Sequence, residues 1–512
     1  MHYAITEADI IGIKYIKMRF KFLFILLTIS CSVFGQRTKM KYSEITDTLK
    51  FGSKTSTGIY TTGGSADSTK LLHAGIINSF GKDTAFFYPE TYGAIVNDTL
   101  DDRSAIQSAI DAACNKGGGI VWLAKGEYRL KSSASRGIYQ SSLHVCSNVT
   151  LMGQGFQCII KTTLTTSGTH VISLQHAGSN IVLKDFQIKS DSSYATAAIF
   201  SEFGVTNLTI SRIKIDRGTC WGINLKDCSK GLIENCDIQN GGQCHGIEVG
   251  NSNGYVVRNN EFYSNVTKTY HPSRGNGIEF YNDDTREPRS YGNLIEGNHV
   301  HHTGGGISIW GDSLTSVIGN TIHMISGHGL VVTTWKGTDT IVNVGIKIIG
   351  NTIKGTGYIN NSSVGMLIEA TNREILVANN LLDTIISLDG GYGGGVGIEN
   401  NADGTIIEGN IVQHAYINGI SNAGDKCVIN DNRILDCSVL TDNAFRGISN
   451  SGDNCTIVGN SVHDTRANTR MDICIYVPGN NNVIVGNNTS GASGGDNIYA
   501  SGTGNVEANN KD

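Results

Sequence analysis

The apolar residues of this chain fall in short alternating runs that recur at near-regular intervals. Residues 297–332 show the pattern well. Gly297-Asn298-His299-Val300 leads to Gly306-Ile307-Ser308-Ile309, and Gly319-Asn320-Thr321-Ile322 leads to Gly329-Leu330-Val331-Val332. The Gly-Ile beat runs from Gly222-Ile223 through Gly246-Ile247, Gly277-Ile278, Gly365-Met366, Gly397-Ile398 and Gly419-Ile420 to Gly447-Ile448, with echoes at Cys474-Ile475 and Asn497-Ile498. A second beat centres on Asn298, Asn320, Asn351, Asn380, Asn410, Asn432, Asn460 and Asn487. Successive beats stand about 22 to 36 residues apart, the self-similarity of a repeat architecture. Two to four residues of Ile, Val or Leu closed by Gly or Asn read as a short strand and a tight turn.

The pattern predicts an all-β fold, a right-handed parallel β-helix solenoid over residues 131–505. Inward Ile, Val and Leu stack on their equivalents one coil away, about 4.8 Å along the axis. The recurrent Asn suits a turn that needs a left-handed residue, and its amide can bond the Asn above and below. The Leu-and-helix period of leucine-rich repeats and the Trp-Asp signature of propeller blades are both absent.

Residues 86–130 carry a different rhythm. Ala105, Ile106, Ala109, Ile110 and Ala113 share one helical face. Asp101 or Asp102 suits the N-cap, and Gly117-Gly118-Gly119 ends the helix. Val121-Trp122-Leu123 and Tyr128-Arg129-Leu130 follow as strands. A short α-helix here caps the open first coil, whose apolar interior and strand edges would otherwise face water.

Tyr92-Gly93-Ala94, Asp101-Asp102, the Ala105-Ile106-Gln107 helix, the Gly-rich turn and Gly126-Glu127-Tyr128 together resemble the N-terminal signature of the pectate-lyase-like superfamily of right-handed β-helix proteins. Ala124-Lys125 stand where that family usually has Pro, and Ile95-Val96-Asn97 replace a more usual Gly-Asp-Gly, departures that touch the cap alone. The resemblance implies a complex polysaccharide as the partner. Its members include lyases, hydrolases, epimerases and phage tailspikes, so the fold does not fix the activity.

The net charge of −5 gives no footing for nucleic acid, and 64 Gly against 4 Pro suit many tight turns. Met18 to Gln36 reads as a secretory signal: Arg19 and Lys21, an apolar run from Phe22 to Ile29, then small residues. Residues 1–36 are therefore an upstream extension and signal, and 37–85 a Ser-, Thr- and Gly-rich leader. The expected protein is secreted, periplasmic or on the cell surface, with no membrane-spanning segment after signal removal. Cys31 follows a poor lipobox. Cys220 and Cys244 occupy equivalent positions, as do Cys427 and Cys455. With an odd eleven cysteines beyond the signal, a buried thiol stack is expected in preference to disulfides.

Residues that follow an inward Ile point outward. Aligned beats give an outward column of Asn224, Glu248, Glu279, Ser308, Val331, Glu369, Glu399 and Ser421, and a second of Lys226, Gly250, Tyr281, Trp310 and Thr333. Glu248 and Glu279 should thus stand on adjacent coils with Tyr281 and Trp310 beside them, and Trp335 and Lys336 nearby. Paired carboxylates cannot both ionise cheaply, so one becomes an acid, while aromatic faces suit sugar rings. A bland alternative is a pair of solvated Glu residues matched by Lys226 or Arg274. Two long turns around Glu279 hold His271, Arg274, Asp283 and Asp284. Arg can grip a uronate carboxylate, Asp283 and Asp284 can hold calcium, His271, Arg274 or Lys336 are candidates for the base of a β-elimination, and His245 is a further catalytic candidate. Gly327-His328-Gly329 is similar to the Gly-His-Gly of polygalacturonases, but Gly305-Gly306 stand where that family has Asp one coil earlier.

Overall fold

Short Ile- and Val-rich runs stack as parallel strands in the computed structural model. It describes residues 85–511, apart from 137–138, 165–167, 191–194, 217–218, 241–243, 265–274, 283–289, 335–341, 358–362, 387–393, 440–443, 468–469 and 495. The expected extension, signal and nearly all of the leader lie outside the described residues. These strands form sheets of 28 and 15 strands. The larger carries two faces, because Thr209–Asp216 pairs along its first half with Leu232–Glu234 and along its second with Asp237–Asn240. Three ladders thus wind around one apolar interior. An antiparallel hairpin of Ala134–Arg136 with Tyr139–Val145 interrupts the parallel pairing near the start.

The predicted inward column is continuous. Ile223, Ile247, Ile278, Ile307, Leu330, Met366, Ile398, Ile420 and Ile448 pair coil to coil and are all fully buried. Each such side chain stabilises the fold by about 1.5–3 kcal/mol. The Gly that opens each beat is not the turn residue the sequence suggested. A Cβ on Gly306 would lie 2.0 Å from the Gly329 carbonyl oxygen and 2.7 Å from Ile322 Cγ2, so Gly is required by the close approach of neighbouring coils.

The Asn beat also differs from expectation in one respect. The left-handed residue is the one before the Asn: Asn259, Gly297, Gly319, Gly350 and Asn379 have φ of 54–65°. The Asn itself turns inward and is buried. Asn351 Nδ2 donates to Asn380 Oδ1 at 3.0 Å and to the Val317 carbonyl at 2.9 Å, while its Oδ1 accepts from the Asn320 backbone N–H and Nδ2, both at 2.9 Å. The same bond repeats from Asn260 to Asn510, so buried amides satisfy one another along the axis.

The helix Arg103–Asn115 buries Ala105, Ile106, Ala109, Ile110 and Ala113, as its pattern required. Asp102 stands at its N-cap position but makes no capping bond there. Its carboxylate instead accepts from the backbone N–H groups of Ile95 at 3.0 Å and Arg129 at 2.9 Å, tying the cap to the strand Gly126–Leu130, while Asp101 accepts from the Arg103 N–H. Gln107 mimics a strand: it accepts from His144 N–H at 2.8 Å and donates to the His144 carbonyl at 3.0 Å.

Cysteine usage departs from the thiol-stack expectation. Cys220 and Cys244 form a disulfide between adjacent coils, with Cα atoms 4.9 Å apart, and Cys114 is joined to Cys146. Stacking one coil apart places the first pair within bonding reach. Cys427 and Cys455 do remain buried thiols, the Cys455 sulfur accepting the Cys427 N–H at 3.4 Å.

Candidate active site

The two outward columns form on the 15-stranded sheet in the register expected. Asn224, Glu248, Glu279, Ser308 and Val331 are successive partners, as are Lys226, Gly250, Tyr281, Trp310 and Thr333. Glu369 is the exception, since Leu367 takes the place after Val331 and the column resumes at Glu399 and Ser421. Glu369 falls just beyond its strand, where it accepts a hydrogen bond from the Thr333 hydroxyl.

Glu248 and Glu279 converge with His245. Nε2 of His245 lies 3.6 Å from Glu248 Oε2 and 3.6 Å from Glu279 Oε1, and one atom from each of the three groups falls within 4.8 Å of the others. All three side chains are largely buried. The two carboxyls have different company. Glu248 Oε2 accepts from the Trp221 indole at 2.5 Å and Oε1 from Asn224 Nδ2 at 3.1 Å. The Tyr281 ring reaches back across Gly250, where a Cβ would stand 2.3 Å from it, and its hydroxyl bonds Glu248. Glu279 accepts from one side-chain amide, Asn276 Nδ2, at 2.6 Å.

Electrostatics follow from this asymmetry. Burial, then the charge of Glu248, pushes Glu279 up from 4.5 to about 7, against the pull of Asn276. Burial also raises Glu248, but Trp221, Asn224, Lys226 and Tyr281 all favour its ionised form. Glu279 is therefore the carboxyl of the pair that holds its proton into the neutral range, while the donors around Glu248 favour its ionised form. Burial lowers His245 to about 4, so its imidazole is neutral. Its Nδ1 accepts the Asn276 backbone N–H at 3.0 Å, which puts the ring proton on Nε2, facing the two carboxyls. A cation among these three groups would need a lone pair on Nε2, where the proton sits, so the cluster suits proton handling better than metal binding. His328 takes an equivalent position and accepts the Val364 N–H at 3.1 Å, a bond between coils that needs no catalytic role.

Tyr281 was expected to flank the pair and instead bonds it, while Trp310 stands one coil on. His271, Arg274, Asp283, Asp284, Trp335 and Lys336 lie outside the described residues, and with them the calcium expectation. Trp221 and Asn276 were missed. Each directly precedes the Gly of a beat, as His245 does. Strict alternation gives that position the inward side of Ile, yet in these coils all three side chains bond or face the carboxyls.

Overlapping matches to the family model described as "Right handed beta helix region" span residues 146–322 and 245–434, together more than half of the chain. A mannuronan C5-epimerase of Azotobacter vinelandii is 40% identical over 80 residues, 15% of this chain and 6% of that protein. Alginate lyase 7 of the same organism is 44% identical over 73 residues, 14% of this chain and 8% of that one. The chain thus spans a small fraction of these relatives' length. Among solved structures, the tailspike protein of E. coli bacteriophage HK620, in complex with a pentasaccharide, superposes with a TM-score of 0.60 at 14% identity, covering 85% of this chain and 79% of that one. The catalytic unit of an α-1,3-glucanase from Streptomyces thermodiastaticus strain HF3-3 gives 0.53 at 16% identity, covering 81% and 70%. At such identities these two likenesses are of fold alone. On the family match and the stacked parallel ladders together, the chain belongs to the right-handed β-helix family.

Proposed function

We propose that this protein hydrolyses a polysaccharide, with Glu279 as the acid that protonates the glycosidic oxygen and Glu248 as the carboxylate that meets the developing positive charge at the anomeric carbon. One observation carries the reading: two carboxyls on adjacent coils, one held by three donors and the other buried and raised to about 7. That division of labour is how one site keeps an acid and a base at neutral pH. Ligand atoms within 4.8 Å of each other fit a retaining reaction, in which the carboxyls stand about 5–5.5 Å apart, better than an inverting one, which needs room for water. Tyr281 and Trp310 supply aromatic surface beside the pair. Carbohydrate-directed relatives support the substrate class.

β-Elimination on a uronate polymer is the second reading, favoured by the similarity to alginate lyase 7. Purified protein incubated with neutral and uronate-containing polysaccharides, with and without calcium, separates the two. Reducing ends without new ultraviolet absorbance, abolished by Glu279→Gln, support hydrolysis. Absorbance rising with reducing ends replaces it with elimination. Binding without either product leaves a non-catalytic glycan-binding solenoid. Export belongs to the same proposal, and the two disulfides fit an oxidising compartment. N-terminal sequencing of exported protein, showing loss of Met18 to Gln36, tests it.

A further inference from the structure

A second cluster of titratable groups lies on the other sheet, where Glu261, His299 and Thr321 are successive ladder partners beside Tyr263, His301 and His323. Glu261 Oε1 stands 3.6 Å from His299 Nδ1 and 3.3 Å from His301 Nε2, and one ligand-type atom from each residue lies within 4.8 Å of the others. Tetrahedral bonds of about 2.0–2.1 Å place neighbouring ligand atoms about 3.4 Å apart, so these separations need little adjustment to close on an ion.

The outer hydrogen bonds decide whether the nitrogens are available. His299 Nε2 lies 2.7 Å from His323 Nε2, and His301 Nδ1 lies 2.8 Å from His302 Nδ1. With His323 and His302 as acceptors, the protons of His299 and His301 sit on the far nitrogens. In that tautomer both lone pairs face Glu261, and a bound ion takes the place of the 3.3 Å hydrogen bond that His301 Nε2 otherwise makes to Glu261 Oε1. A metal-bound histidine characteristically donates its other N–H in this way, which fixes tautomer and ring orientation. The Glu248 site has the reverse arrangement, with its histidine lone pair already committed to a backbone N–H. Ring stacking holds the set in place: His301 lies between Tyr263 and His323, with centroids 5.3 and 5.1 Å away. The solvent side stays open, since Glu261 and His299 are half exposed.

We propose that Glu261, His299 and His301 bind a first-row divalent ion of the zinc type, with His323 and His302 as positioning residues and an exchangeable fourth position. Two imidazoles and one carboxylate suit such ions better than calcium or magnesium, which prefer all-oxygen shells. Full-length protein, purified without a histidine tag and stripped with chelator, is titrated with Zn²⁺ by calorimetry and with Co²⁺ by visible absorption. One ion per chain is expected. Binding should weaken at least 100-fold in His299→Ala and in His301→Ala, weaken about 10–100-fold in His323→Ala, and be unaffected in His245→Ala. Glu261→Gln, which preserves side-chain volume, should weaken binding and serves if a histidine variant does not fold. No saturable binding, binding that survives loss of His299 or His301, or binding lost in His245→Ala overturns the assignment.

Discussion

Replacing Glu248 by Gln removes one negative charge beside Glu279 and leaves its burial nearly unchanged. Glu279 rises from 4.5 to about 7, a rise of about 2.5 in which burial is the larger cause and the Glu248 charge the second. The charge is the smaller of the two raising causes and the Asn276 bond opposes both, so its removal is expected to lower the midpoint by on the order of one pH unit, about 1.4 kcal/mol. Coulomb's law at the 4.8 Å limit, with an effective dielectric of about 20, allows about 3.5 kcal/mol, so a change of this size is within reach of one neighbour. The Glu279 midpoint should fall from about 7 to near 6 in Glu248→Gln. Infrared difference spectra follow it directly. The stretch of the protonated carboxyl that disappears in Glu279→Gln is tracked against pH in wild type and in Glu248→Gln, and no turnover is needed. An unmoved midpoint, or no carboxyl titrating near 7 that depends on Glu279, refutes the paired-carboxyl account.

Glu279→Gln should lower kcat by about 10²–10⁴ with little change in KM, read by steady-state kinetics on whichever polysaccharide proves active. The same substitution should stabilise the fold at high pH. A buried carboxyl raised from 4.5 to about 7 contributes stability that is complete below pH 4.5 and lost as pH climbs through 7, so the variant should exceed wild type by on the order of 3 kcal/mol at pH 8 and by little at pH 5 in denaturant titrations. Asn351→Ala should cost about 2–4 kcal/mol in urea unfolding, because it strands the Asn320 backbone N–H and side-chain amide and removes the side-chain donors to Asn380 Oδ1 and the Val317 carbonyl. Removing Cys220 and Cys244 together should cost about 3 kcal/mol, from the 24-residue separation they close. Since Trp221 and His245 directly follow these cysteines, activity should fall in that variant while Cys427→Ser leaves it intact.

The fold was legible because one-dimensional repetition exposes its own register. Once Ile247 and Ile278 are recognised as equivalents, Glu248 must face Glu279 and Gly250 must face Tyr281, and both pairings hold. Alternation failed at the residue just before the Gly of the beat. Trp221, His245 and Asn276 share the parity of inward Ile but gather around the carboxyls, and nothing in a period-two pattern marks that departure. Glu369 was misassigned by two residues: the offset from Gly to column that holds at Glu279, Val331 and Glu399 gives Leu367 after Gly365, and Glu369 shares its parity but lies past the end of Met366–Ile368. The Asn beat was read at the right positions with the backbone role assigned one residue late, since a turn and the buried amide behind it leave the same Gly-Asn or Asn-Asn trace. The glycines of the Gly-Ile beat misled for a related reason: composition cannot distinguish a residue chosen for its φ from one chosen for having no side chain.

The asparagine ladder makes whole coils more dispensable than single residues. Every amide in it points the same way, giving its N–H to the coil ahead and its oxygen to the coil behind. A point substitution breaks this chain at two junctions and leaves orphaned polar groups inside. Excising one full repeat, from one ladder asparagine to the next, brings together two ends that are already complementary, and inserting one does the same. Such a molecule can change length by splicing without repairing its interior. Outside the few coils that carry side-chain chemistry, repeat number is therefore free to drift while the cross-section stays fixed.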